Sequence, residues 1–544
     1  MNTDTNILKK IFTESLNDKK ALAILFGYVF FLLYVCSNMS PFYYSNEWAD
    51  VNIYFNVGKA IFNGKTLYTE VFDHKGPLIF FIYGFGYLIS NHSFFGMFLI
   101  ELLMWSTMIC AVYYMARLYL NPMFACFTAL LFPISLIELM KAGGSAEEFI
   151  LVAECISMYF FVKYYKEKEA STHNIYYMLA HGAMCSIAFF IKINLIMFWF
   201  FPLLGIFLNL LLKKEFKNLF LNIFAFGVGF LIIAVPILSY LITHNALQEA
   251  YNIYIDLNSR YAEIQSVSDT IILLLYRLLF LFMQPLSLLI LPLIGVFYFS
   301  VKCIGNVIGK WVMVLSGISL YSIIFMSPVF QFYYPIPFLV FTALGILGLF
   351  IIMDRLLNIT VSFPVKYVLL FTVVIYYGAI SRSNLEETKL SLYVDEKPPL
   401  LTQSIYDEIS KEENPTLLNL GFGLGNSLFT TCNIVPNVRY FISPNLTYES
   451  YPDLRDEQEK YIENKATQFV LTQSWLSVTS YNAKNKKENM SDKEVSKVRL
   501  TNNREYFENL PAFEENYSLI LTDTIMNTID ENSWDIYKLY RRND

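Results

Sequence analysis

The sequence predicts a polytopic α-helical membrane protein that carries a small α/β domain at its C-terminal end. Three observations predict it. Of 544 residues, 55% are hydrophobic and only 16% charged, which is too apolar for a soluble domain. The apolar residues gather into runs near the ~20 residues that a bilayer core requires. From Arg382 onward the composition changes to mixed, charged sequence with short apolar stretches. The net charge of -6 says little in such a chain, where the sign of each loop matters more than the sum. No basic tract points to nucleic acid, and the seven cysteines show neither metal spacing nor a disulfide framework.

The elements follow in order. Lys9, Lys10, Lys19 and Lys20 precede the run 21–39, which has no small-residue cleavage site and reads as a retained first span. Further spans are expected at 94–115, 123–140 and 149–165. The block 175–212 is long enough for two, broken at Lys192 and Asn194. Others follow at 219–243, 270–300, 311–327, 332–353 and 366–381. The run 78–89 has about a dozen residues and suits an interfacial or re-entrant helix better than a crossing. If it does not cross, Arg117, Lys163, Lys166, Lys168, Lys213, Lys214, Lys217, Lys302, Lys310 and Arg355 fall on the same side as the N-terminal lysines. That is the positive-inside pattern, and it gives about eleven spans with the N-terminus cytoplasmic and the C-terminus outside.

The chain therefore divides into a transmembrane domain at 1–381, with an outer loop at 40–93, and an extracytoplasmic α/β domain at 382–544. In the latter, 415–420, 468–471 and 517–522 read as strands, with helical stretches at 401–411 and 453–464 between them. No internal repeat of fixed period is visible.

The outer face collects the chemistry. Residues 46–78 are too polar for a bilayer and hold Glu47, Asp50, Glu70, Asp73, His74 and Lys75. From Asp50 the segment DVNIYFNVGKAIFNG fits an amphipathic helix lying along the interface, where the carboxylate would either cap the helix or accept a proton from an acceptor hydroxyl. In DHKGPL at 73–78, Gly76 and Pro77 open a short helix with Lys75 at its N-terminus. That lysine either snorkels to ordinary phospholipid or holds a dedicated lipid phosphate. Glu147 and Glu148, after Gly143, Gly144 and Ser145, either cap a helix or line an acceptor pocket, with a divalent cation as a further occupant. Ionisable residues inside spans, Arg277 among them, are costly and so mark function. The glycine run GFGLG at 421–425 is a weak phosphate-loop match.

The order D-x7-G-x5-G-x3-Y-x4-DHKGPL, carried by Asp50, Gly58, Gly64, Tyr68 and 73–78, resembles the first outer loop of the polyprenyl-phosphate-sugar-dependent glycosyltransferases with the C-type membrane fold. The bacterial protein mannosyltransferase and aminoarabinose transferase superfamily is the part of that group it resembles. The resemblance extends over GGSAEE, the Lys192 turn and FQFYYPIP around Tyr333, about two thirds of the chain.

It implies a C-type fold and inverting transfer of a hexosyl or pentosyl unit from a polyprenyl-phosphate donor to a cell-surface glycan, lipid or protein, without a cofactor. Asp50 would be the catalytic base, with Lys75 and Arg277 on the donor phosphate. Glu147, Glu148, Tyr68, Asp73, His74, Lys192 and Tyr333 would form the acceptor side. Val51 stands where the mannosyltransferase pattern has a second acid, which weighs against a protein-hydroxyl acceptor. The alternative from another class is a polytopic transporter or flippase of lipid-linked or soluble sugar.

Overall fold

A computed structural model describes residues 17–169, 171–261, 266–281, 286–327, 330–360, 402–421, 423–443, 446, 448–477, 503–526 and 533–544. The chain forms two compact units. One comprises Met1–Ser37, Leu99–Ile237 and Ile264–Leu385, the other Asn38–Phe98, Leu238–Glu263 and Glu386–Asp544.

The first unit is helical throughout its described residues. Across the described chain, six helices are long and apolar enough to cross a membrane: Asp18–Cys36, Phe95–Arg117, Ile193–Leu212, Phe216–Thr243, Val307–Phe325 and Ile336–Leu356. They leave large apolar side chains such as Phe31, Leu103 and Phe224 more than half exposed, a surface suited to hydrocarbon and not to water. Four shorter apolar helices accompany them, Pro77–Ile89, Pro122–Ile137, Ile175–Ile191 and Leu289–Lys302. Asparagines 17, 121, 174 and 306 accept a backbone N–H at the start of their helices, satisfying donors the helix itself cannot.

The 175–212 block breaks where Lys192 stands. The Ile175–Ile191 helix stops at its extended backbone, and Ile193–Ile196 makes one tight turn before Met197–Leu212 resumes. Within the expected span at 270–300 the described residues are helical at Val267–Leu281 and Leu286–Leu293, the latter continuing through a wide turn at Ile294–Phe299. The run expected from 332 starts instead as turns around Tyr333, with helix only from Ile336. The expected span 366–381 lies outside the described residues.

In the second unit the C-terminal segment builds a four-stranded sheet of order β1-β2-β4-β3, from Leu417–Asn419, Phe469–Ser477, Tyr517–Met526 and Ser533–Arg542 as β1 to β4. β1 pairs parallel to β2, opposite Phe469 to Leu471, and the remaining pairs are antiparallel. Leu417, Leu418, Leu471 and Leu539 fill its core. The Pro452–Glu463 helix buries Leu454, Gln458 and Ile462, a stripe at four-residue spacing.

The same unit contains Ala49–Phe62 and Pro77–Ile89 packed side by side. They run parallel. Tyr54 meets Phe80 and Tyr83, Gly58 meets Gly84, and Phe62 meets Phe85, so residue numbers rise together along both helices. Only glycine permits this approach, since a Cβ on Gly58 would lie 2.6 Å from the backbone of Gly84 and Phe80.

Candidate active site

One helical turn before Tyr54 stands Asp50, and one turn before Phe80 stands Gly76. Because the helices are parallel and close, their N-termini lie at the same end of the pair, at an axial separation of about 8–10 Å. Asp50 and Lys75 therefore stand at the same end of the helix pair, and both side chains are half-buried.

Asp50 is not the helix cap. Trp48 occupies the cap position without a side-chain cap bond, its own N–H donating to Asn46 Oδ1 at 3.1 Å. Asp50 sits in the first turn, where the helix dipole favours its charged form. The helix is also not laid on an interface as expected. Val51 to Ala60 are all buried, polar Asn52, Asn56 and Lys59 included, because protein rather than lipid covers every side.

Lys75 is fixed by its backbone. Its N–H donates to Asp73 Oδ2 at 3.2 Å, and its carbonyl accepts from the Tyr68 hydroxyl at 2.8 Å. Gly76 and Pro77 follow as cap and first helical residue. Tyr68 is fully buried at a positive φ of 69°, an uncommon conformation held by its N–H bond to Val71 O at 2.8 Å. Burial keeps its phenol protonated, with the pKa pushed well above its ordinary value. Asp73 is buried with His74 Nδ1 3.5 Å away, and Asn258 donates to the His74 carbonyl at 2.6 Å. Tyr68, Asp73, His74 and Lys75 therefore form one knot, in which the first two shape the turn.

In the first unit, Lys192 Nζ bonds Glu147 Oε1 at 2.7 Å and stands 3.9 Å from the Tyr334 ring centre. Tyr333 is buried beside that ring, 5.2 Å between centres. Glu148 closes a capping box with Ser145, accepting its N–H at 3.0 Å while the Ser145 hydroxyl accepts the Glu148 N–H. The two adjacent acids do not converge on one ion: Glu147 turns to a lysine and Glu148 to its own helix start. Glu101 joins Glu148 in lining a cavity of about 190 Å³, open space included, with Trp105 and Gly144. Its carboxylate accepts from the Ser37 hydroxyl at 2.7 Å and the Gly144 N–H at 3.2 Å. Arg277 stacks on Phe330, 4.1 Å from the ring centre.

Among the described residues no three His, Cys, Asp or Glu side chains gather where a metal could be held. The glycine run at 421–425 is no phosphate cradle. A Cβ on Gly421 or Gly425 would strike Gln473 or Leu471 of β2, and the helix that follows, Ser427–Thr431, has only five residues.

Comparison with known proteins agrees with this architecture. The family model for dolichyl-phosphate-mannose-protein mannosyltransferase matches residues 74–242, under a third of the chain, starting inside the DHKGPL turn. ArnT from Cupriavidus metallidurans, solved bound to undecaprenyl phosphate, superposes with a TM-score of 0.56 at 14% identity over 95% of this chain and 97% of that one. Its apo state gives 0.53 at 13% identity over the same shares. The fold is that of the C-type membrane glycosyltransferases. No curated protein matches the sequence.

Within the C-type fold, sequence reasoning missed several polar residues. Asn52, Asn56 and Lys59 recur at helical spacing through an otherwise apolar stretch, which is the visible signal of a buried polar stripe. Thr430 and Ser37, which complete two of the networks, carry no such signal.

Proposed function

We propose that this chain is a glycosyltransferase that moves a sugar from a polyprenyl-phosphate-linked donor to a hydroxyl of a cell-surface glycan, lipid or protein at the extracytoplasmic face. The observation that carries the reading is the parallel helix pair, which sets an acid and a cation at one end. Asp50 takes the proton of the acceptor hydroxyl as its oxygen attacks the anomeric carbon. The bond from that carbon to the phosphate oxygen breaks on the opposite side, so the configuration inverts. Charge develops on the departing lipid phosphate, where Lys75 neutralises it with help from the N-terminal dipole of Pro77–Ile89.

Three further features support the reading. The loop resembles those of lipid-phosphate-sugar transferases, the fold is shared with ArnT, and the lysine-rich loops assign the N-terminus to the cytoplasm. Glu147, Lys192 and Tyr333 fit an acceptor wall through their mutual ion pair and ring contacts, with Glu148 anchoring the turn that presents Glu147.

Replacing Asp50→Asn keeps size and hydrogen bonding while removing the base. Transfer from lipid-linked sugar in liposomes falls by more than about a hundredfold, in line with the 10²–10⁴ a positioned base contributes, with insertion and melting unchanged. Native-like turnover by that variant rejects the assignment.

A further inference from the structure

The polar stripe on the Ala49–Phe62 helix has no part in the chemistry just described, yet it is fully buried. Asn52, Asn56 and Lys59 are all at most 1% exposed and face residues 429–434 of the C-terminal segment. The Thr430 hydroxyl donates to Asn52 Oδ1 at 2.8 Å and accepts from Asn56 Nδ2 at 2.9 Å, using both its capacities. Lys59 Nζ donates to the carbonyls of Phe429 at 2.7 Å and Ile434 at 3.3 Å. Asn52 also reaches back, donating to the carbonyls of Asn46 at 2.6 Å and Trp48 at 2.9 Å, and so secures the turn from which Asp50 projects.

A few residues further on, the same segment grips the other half of the loop. The Phe72 N–H donates to Arg439 O at 3.1 Å, and the Phe72 ring stacks on Tyr451 at 5.3 Å and meets Tyr440 edge-on at 5.0 Å. Phe72 immediately precedes the Asp73 to Lys75 turn. Residues 429–443 together with Tyr451 of the C-terminal domain therefore hold both the helix of Asp50 and the approach to Lys75.

We infer that this stretch is a brace that sets the spacing of Asp50 and Lys75, with Thr430, Asn52, Asn56 and Lys59 as its positioning residues. The C-terminal domain thus serves turnover without touching substrate. The inference rests on the transferase reading for its effect on rate, though not for the brace itself. Buried hydrogen bonds suit the task because each has a fixed geometry and a buried polar group left unpaired is costly, so the contact forms in one register or not at all.

The test uses the full-length protein in detergent or liposomes with lipid-linked sugar as donor. Thr430→Val keeps the shape and removes the hydroxyl, and Thr430→Ser restores it; Thr430→Ala takes the place of the valine variant if that does not fold. Hydrogen exchange over Ala49–Phe62 rises at least tenfold in the valine variant and stays native in the serine variant. In step, kcat falls at least tenfold while KM for the donor moves less than threefold, since a misplaced base costs turnover more than binding. Unchanged exchange in the valine variant overturns the brace. Raised exchange with native kcat overturns its role in positioning. If the parent chain transfers no lipid-linked sugar, the transferase reading falls and the exchange result alone decides the brace.

Discussion

The two units both collect acids and lysines, yet they use them differently. In the first unit the acids beside the Lys192 turn are engaged by a lysine, a hydroxyl and the backbone. Glu147 is paired with Lys192, Glu148 is folded into its own helix start, and Glu101 takes the Ser37 hydroxyl and the Gly144 amide. In the second, Asp50 and Lys75 are half-buried at the paired N-termini of two parallel helices, while the buried polar groups around them bond the backbone. The difference teaches where to look for chemistry in a chain rich in intramembrane charge. A carboxylate bound to its own helix start fixes a turn, and an acid and a cation at the shared end of two parallel helices are the pair to test for chemistry.

Breaking the second pattern should cost most. Lys75→Ala lowers kcat/KM for the lipid-linked donor by about a hundredfold, the loss of one charged donor at a developing oxyanion, and Lys75→Arg restores part of it. Steady-state kinetics with the donor varied measures this, and a purely structural lysine would leave the arginine variant no better than the alanine one. Breaking the first pattern acts on stability. Glu147→Gln leaves Lys192 without its charge partner in a site where the acid is 3% exposed, and it lowers unfolding stability by about 2–3 kcal/mol while kcat stays within about threefold. Thermal melts beside activity separate the two effects.

A pH dependence concerns Lys59, whose pKa burial brings down to about 7 from 10.5. Between those values the unfolded chain binds the proton more strongly than the folded one, so stability should rise as pH is raised from about 7 to about 10.5 and be lowest below about 7. Lys59→Met removes that rise, and melting temperatures of the two proteins across pH 7 to pH 9 should converge in slope only if the inference about burial is wrong.

How much of this was legible in the sequence follows from how local each feature is. The apolar helices beginning near 21, 123 and 175, the break at Lys192 and the charged C-terminal segment are written in runs of neighbouring residues, and they were readable. β4 was not, because Asp535, Lys538 and Arg541 interrupt its apolar pattern and its place depends on pairing with β2 and β3. Asp50 and Lys75 stood out as candidates through the resemblance of their loop to that of known transferases. Their place at one end of a helix pair was not legible, since it rests on the Gly58 and Gly84 contact and on a parallel pairing that no periodicity encodes. The buried stripe at Asn52, Asn56 and Lys59 was missed, because a partner of Lys59 lies 370 residues away in the chain.

The most direct measurement is a structure of the protein with a polyprenyl phosphate bound. The account predicts the phosphate within hydrogen-bond distance of Lys75 Nζ, with the Asp50 carboxylate facing the same hollow at the open end of the helix pair. A phosphate seated away from Lys75, or an Asp50 closed off from the hollow that holds it, would contradict the account.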